Sequence, residues 1–255
     1  MSHSAPFAAR LNGLYARAVY LPATIASQSY RRVSRRFRGV TRGQATRLPK
    51  AGWRELFPAR PIVLAQPQKQ QGDVNLAELS VLATAAASVS AGQEIVEIGT
   101  FDGRTTLNLA VNAPAQYPVF TLDLPPDTAP KYELAEGENA FVDKPRSGRH
   151  FVDAPPEWSG PARRITQLYG DSATFDWSAH HGRAGLVFVD GSHAYDYVIA
   201  DTDTALRLAA QKGVVIWHDY GVWDGVTRAL EEIEASRHLG LRHVRGTSLV
   251  VWKSE

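Results

Sequence analysis

The chain contains no cysteine, which excludes disulfides, thiolate nucleophiles and cysteine metal ligands. It has no apolar run long enough to span a bilayer. Pro22 interrupts the apolar stretch near the start, so no compact signal-peptide pattern forms there. Internal repeats are absent. The first 50 residues also lack any Asp or Glu, against ten Lys+Arg. The remainder holds 18 Lys+Arg against all 26 acidic residues. The overall charge of +2 therefore divides into a basic N-terminal arm and a body at −8.

The simplest reading of the arm is a solubilising or partner-docking extension. Its charge also suits an anionic surface, either a membrane or a polyanionic glycan. Leu11, Leu14, Tyr15 and Val19 fall on one helical face, which favours a peripheral membrane contact or a homo-oligomer contact. An Arg- and Ser-rich start without acids also has the character of an organellar transit peptide. No nucleic-acid reader motif accompanies the charge, so no nucleic-acid partner is expected. The expected location is cytoplasmic, with peripheral membrane contact through residues 1–45.

Residues 45–73 are rich in Pro, Gln and Gly and read as a connecting segment. The body, 74–255, then alternates helices and strands. "VNLAELSVLATAAASVS" is a buried helix, "EIVEIG" a strand and "RTTLNLAVNA" a helix. "PVFTLDL", "RITQLYG", "GLVFVDG" and "GVVIWHD" are further strands. The helix between the last two closes at Gly213, and "GVTRALEEIEASRHLG" is another helix. The end, "LRHVRGTSLVVWK", reads as an antiparallel hairpin around Gly246. Continuous apolar runs such as "LVFV" and "VVIW" belong to strands covered on both faces. The expected fold is α/β: Rossmann-like and doubly wound, a mainly parallel seven-stranded sheet with a C-terminal antiparallel hairpin. Residues 124–162 are long, charged and proline-rich, with room for at most one short helix. An insert of this kind at the ligand edge of a sheet is expected to act as a lid.

The most specific signal is "EIVEIGTFDGRTT". Glu97 and Gly99 end a strand, Thr100 and Phe101 follow, and Gly103 opens a helix. A dinucleotide site would want Gly-x-Gly-x-x-Gly, with pyrophosphate on the helix N-terminus. Phe101 closes that space, which argues against a nicotinamide oxidoreductase and for a ligand without phosphates.

This segment resembles motif I of class I S-adenosylmethionine-dependent methyltransferases. The resemblance implies that Glu97, Gly99, Thr100, Phe101 and Gly103 surround the amino-acid part of S-adenosylmethionine. It implies that Asp123, ending the next strand, accepts from the ribose hydroxyls. Gly170, Asp171 and Ser172 would then surround the adenine, with Asp171 accepting from its amine. Read alone, Asp171-Ser172 is equally a helix cap.

Asp190 ends "LVFVD" and His218-Asp219 end "VVIWHD". Neighbouring strands lie about 4.8 Å apart, so these side chains can converge. Two carboxylates so close repel unless a cation or a proton lies between them. The region resembles the metal-dependent O-methyltransferases that act on sugar or other small hydroxyl compounds and carry an Asp-x-x-His motif. That resemblance implies Mg²⁺ or Mn²⁺ on Asp190 and Asp219, and His193 as general base. Asp190 also borders the cofactor. His218 departs from the pattern: it is a third ligand, for a softer metal, or it faces elsewhere, or no metal binds. Trp217, Tyr220 and Trp223 are candidates for the acceptor pocket. His180 and His181 read as a surface turn, and Asp196, Asp201 and Asp203 as the solvated face of a helix. The expected function is an O-methyltransferase acting on a small-molecule or glycan hydroxyl. The alternative is a non-catalytic protein of the same fold that docks through its basic arm.

Overall fold

The computed structural model describes residues 46–67, 72, 74–90 and 92–255. The expectations for residues 1–45, as docking arm, membrane contact, oligomer contact or transit peptide, lie outside the described residues. Ala45–Glu255 forms one compact unit. No helix among the described residues is long and apolar enough to cross a membrane.

The unit is built on eight strands: β1 (Lys50–Ala51), β2 (Glu94–Ile98), β3 (Val119–Asp123), β4 (Ile165–Tyr169), β5 (Ala184–Val189), β6 (Ala209–Trp217), β7 (Arg242–Val244) and β8 (Val250–Lys253). Their spatial order is β1-β7-β8-β6-β5-β2-β3-β4. β8 runs antiparallel to β6 and β7, while the other pairings are parallel. The doubly wound sheet and its C-terminal antiparallel hairpin are present as expected, with one strand more. That strand, β1, comes from the segment expected to be a connector. Leu48, Ala51 and Phe57 of this segment are buried. The Tyr220 hydroxyl accepts from the Arg47 and Leu48 amides, each at 3.0 Å. Two residues of strand are too few to show a pattern in sequence.

The helices are α1 (Trp53–Leu56), α2 (Leu76–Ala86), α3 (Arg104–Asn112), α4 (Asn139–Val142), α5 (Arg149–Val152), α6 (Ser159–Ala162), α7 (Tyr195–Leu208) and α8 (Asp224–Arg237). Successive strand residues serve opposite faces. Ile95, Leu186, Phe188 and Ile216 pack with Leu79 and Leu82 of α2 and Leu109 of α3. Val96, Val187, Val215 and Trp217 pack with Leu208 of α7 and Leu230 of α8. Each such side chain, fully buried, stabilises the fold by about 1.5–3 kcal/mol before entropy is counted. α2 starts at a capping box. Asn75 Oδ1 accepts from the Ala77 and Glu78 amides, and Glu78 Oε2 accepts from the Asn75 amide at 3.0 Å.

Two readings of helix ends and faces change. α7 stops at Leu208, and Gly213 lies inside β6, where an added Cβ would come within 2.7 Å of the Ala184 carbonyl. Asp201 is fully buried rather than solvated. It lies one turn from the buried Tyr197 and Val198, on the stripe of α7 that faces the sheet.

The insert 124–162 folds into α4, α5, α6 and a 3-10 turn at Pro156–Trp158, more helix than expected. It is fastened to the turn after β2. The Gly148 amide donates to the Phe101 carbonyl and the His150 amide to the Asp102 carbonyl, both at 2.9 Å. Gly103 is required by this contact. A Cβ there would lie 2.6 Å from Phe151.

The strand order reverses between β2 and β5, so the chain diverges on leaving their C-terminal ends. At that point the Asp190 amide donates to the Ile98 carbonyl at 2.8 Å. Gly99 has φ +99°, and a Cβ on it would meet the Asp190 carbonyl oxygen at 2.0 Å. Gly99→Ala is therefore expected to destabilise the fold by about 3 kcal/mol, combining strain and overpacking. Gly92 has φ +78° with nothing within 4 Å of its added Cβ, so Gly92→Ala is expected to cost about 1 kcal/mol. Urea unfolding of both variants checks this, and equal losses would remove the close approach as the reason for glycine at 99.

Candidate active site

A cavity of about 1090 Å³, counting its open mouth, lies beyond the C-terminal ends of β2, β3, β5 and β6. The cofactor, metal and base residues singled out from the sequence line it, except Glu97 and Gly103, whereas the acceptor-pocket candidates Trp217, Tyr220 and Trp223 do not. Glu97 stands behind the wall, fully buried, with Thr121 Oγ1 2.6 Å from its Oε2 and Thr106 Oγ1 on the same oxygen. Gly103 gives its space to Phe151, not to a ligand. Thr100 Oγ1 is 2.7 Å from Thr121 Oγ1 and accepts from Gln167 Nε2 at 2.9 Å, which fixes the turn. Phe101 has φ +47° and stands edge-on to Phe141 of the insert, with ring centroids 5.5 Å apart.

Asp123 ends β3 on the cavity wall, where a ribose-binding carboxylate was expected. Its Oδ2 is paired with Lys144 Nζ at 2.9 Å. Burial raises its pKa, and Lys144 only partly offsets that. Asp171 also lines the cavity, but its oxygens are engaged. Oδ1 accepts from the Ala173 amide at 2.8 Å, and Oδ2 accepts from the Lys131 amide and the Tyr197 hydroxyl, each at 2.6 Å. The carboxylate thus ties the insert and α7 to the loop after β4, where it closes a turn rather than capping a helix. Gly170 and Ser172 flank it on the wall.

The densest charge lies where β5 and β6 end. Asp190 Oδ1 is 2.9 Å from His218 Nδ1, and Asp219 Oδ2 is 3.3 Å from the same nitrogen. His218 Nε2 faces Glu78 Oε2 at 3.2 Å. Asp219 Oδ2 is also 2.8 Å from His193 Nε2. The other ring nitrogen of His193, Nδ1, bonds the Glu138 carboxylate, which also accepts from the His193 amide. Trp223 stacks on His193 at 4.4 Å and 10°. Four carboxylates thus face two imidazoles. Even with both rings protonated, two negative charges remain, the charge a divalent cation would balance.

The charge shifts follow from this arrangement. Burial disfavours the imidazolium of His193, but its hydrogen bonds to Asp219 and Glu138 overcome that and push its pKa up to about 10. Burial likewise opposes His218, and Asp219 and Asp190 raise it well above the usual range. Burial opposes ionisation of Asp219, yet His218 and His193 hold its carboxyl far below the ordinary value. For Asp190 burial prevails over His218, and its pKa is raised.

The structure gathers both histidines and both aspartates in one cluster. Among the described residues, Asp190, His193 and Asp219 each offer one ligand atom within 4.8 Å of the others. His218 stands behind them and bridges Glu78 to the two aspartates. Of the aromatic candidates, Trp217 is core, its Nε1 donating to Thr202 at 3.0 Å. Tyr220 is buried against Arg47, Leu48 and Glu231. His180 is half-buried, its Nδ1 2.8 Å from Glu94, rather than free in a surface turn. Glu78, Glu138 and Lys144 were not foreseen. Glu78 is accounted for locally by its capping box, and the two insert residues sit in no periodic pattern.

Residues 96–220 match the family described as a methyltransferase domain. The matched segment holds the glycine turn and the strand ends at Asp123, Asp190 and Asp219. No curated protein matches this chain in sequence. Among solved structures it is similar to an O-methyltransferase from Bacillus cereus in complex with S-adenosylhomocysteine, at 17% identity over 74% of this chain and 85% of that one, TM-score 0.50. It is similar to the O-methyltransferase NovP at 14% identity over 71% and 80%, TM-score 0.50. A protein from Corynebacterium glutamicum aligns at 16% identity over 72% and 83%, TM-score 0.51. At these identities the likeness is one of fold.

Glu97 is expected to give the fold a pH-dependent stability. Burial raises its pKa from 4.5 to about 8, against the lowering effect of Thr106 and Thr121. The folded state therefore holds this proton more tightly than the unfolded chain. The stability it contributes is complete below about pH 4.5 and is lost as pH rises towards 8, at up to about 1.4 kcal/mol per pH unit. Glu97→Gln is expected to flatten that part of the profile and to be the more stable protein at pH 8. Denaturant unfolding at pH 5, 6.5 and 8 checks this, and parallel profiles for the two proteins would sink it.

Proposed function

We propose that the protein methylates a hydroxyl of a sugar, glycan or other small polar molecule, assisted by a divalent cation, Mg²⁺ or Mn²⁺. The observation that supports this reading is the meeting of Asp190, His193 and Asp219 on the wall of the same cavity as the Gly99 turn. Two carboxylates and an imidazole suit such an ion, and the excess negative charge around them fits it. Bound there, the cation lowers the pKa of a coordinated hydroxyl.

The chain's own residues do the rest. Asp123 accepts both ribose hydroxyls of the cofactor once Lys144 gives it up. The turn Gly99–Gly103 brings backbone close to the amino-acid part. The wall holds acceptor and sulfonium methyl in line, which supplies most of the rate in a reaction whose electrophile is already activated. The acceptor oxygen forms a bond to the methyl carbon and the carbon–sulfur bond breaks, leaving neutral S-adenosylhomocysteine. Asp190 takes the hydroxyl proton. Its side chain is 21% exposed, whereas Glu78, Glu138 and Asp219 are at 3%, 4% and 5%. We assign His193 to the ion through Nε2, which would exchange its contact with Asp219 for the cation, rather than to the base role that the sequence suggested.

One observation favours the second reading, a non-catalytic protein of this fold. Lys144 already occupies the Asp123 carboxylate. Calorimetric titration with S-adenosylmethionine, with and without Mg²⁺, separates the two. Saturable binding is expected, weakened about tenfold or more in Asp123→Asn. Transfer of labelled methyl to hydroxylated small molecules is expected to be lost in Asp219→Asn. A wild-type protein that binds no cofactor in either buffer leaves the non-catalytic reading standing.

A further inference from the structure

Glu138 belongs to the insert, far in sequence from the residues it touches. Its side chain is 4% exposed. It accepts from Ser192 Oγ and from the Ala135 amide, both at 2.8 Å, and from the amide and Nδ1 of His193. A neutral imidazole donates from one nitrogen and offers a lone pair on the other. A carboxylate held on Nδ1 keeps the proton there and leaves Nε2 as the coordinating atom. With no ion bound, that Nε2 carries a proton to Asp219, at 2.8 Å, and a cation would take the proton's place. The stacked indole of Trp223 holds the ring in this plane.

We propose that Glu138 is a positioning residue for the cation site, presenting His193 Nε2 to the ion, so that the insert 124–162 forms part of that site. The proposal rests on the cation reading above. It extends that reading in one respect: the outer carboxylate comes from a segment outside the strand ends that supply the ligands. Outer partners of this kind change metal affinity by about 10–100-fold. Coupling of this sort is reciprocal. If docking of Glu138 strengthens cation binding, the cation fastens the insert by the same factor.

The test is calorimetric titration of the full cofactor-free chain with Mn²⁺. Four proteins are compared: wild type, Glu138→Gln, Glu138→Asp and Glu138→Ala. The Gln side chain keeps an oxygen that accepts from Nδ1–H, so Glu138→Gln is expected to bind within a few-fold of wild type. Glu138→Ala is expected to bind about 10–100-fold more weakly, and Glu138→Asp, one methylene short, to fall between. Hydrogen exchange gives a second measurement on the wild type alone, where Mn²⁺ is expected to slow exchange at the Ala135 and His193 amides. Equal Mn²⁺ affinity in the wild type and the Ala variant overturns the proposal and leaves the cation reading intact. So does Glu138→Gln binding as weakly as Glu138→Ala, or, should Glu138→Ala fail to fold, Glu138→Asp binding as tightly as wild type. A wild type that binds no Mn²⁺ overturns both.

Discussion

The structure is organised around a surplus of buried carboxylate. Glu78, Glu138, Asp190 and Asp219 come from a helix, an insert and two strand ends, and two imidazoles stand between them. Charges taken out of water must be paired or they cost several kcal/mol each. Each pair here joins elements distant in sequence, so the electrostatics also fasten the fold. His218 connects α2 to the ends of β5 and β6, and Glu78 reaches on to Ser248 before β8 at 2.8 Å. His193 connects the insert to the loop after β6. Removing one partner would leave a buried charge unmatched in at least two elements.

The insert is held at both ends of the cavity by ions of opposite sign. Lys144 meets Asp123 at the end of β3, and Glu138 meets His193 after β5. Between them, Phe151 fills the space that Gly103 leaves open, and two backbone hydrogen bonds join the insert to the glycine turn. The glycine turn is thus shaped by its own insert. The cavity's shape follows the position of residues 124–162.

The sheet was legible because its central strands are continuous apolar runs ending in Gly or Asp. Asp190, His193 and Asp219 were legible because strand ends place them at one edge. Other residues were hidden for physical reasons. Glu78 satisfies a capping box, and nothing local reveals that its second oxygen reaches Ser248 in the turn before β8. Glu138 acts through a contact 55 residues away. His218 and His193 cannot be told apart as ligands without knowing which nitrogen faces what. Asp201 did carry a signal, its spacing of three and four from Val198 and Tyr197, which the neighbouring aspartates obscured.

Asp219 adopts φ +64°, a left-handed backbone that glycine would take without strain. It ends the strand, turns the chain so that Val222 and Trp223 bond back to its carbonyl, and is almost fully buried. Glycine here would relieve the backbone strain but would strip both imidazoles of the carboxylate they share. Strain and charge pairing are thus carried by one residue, and neither can be relieved without forfeiting the other.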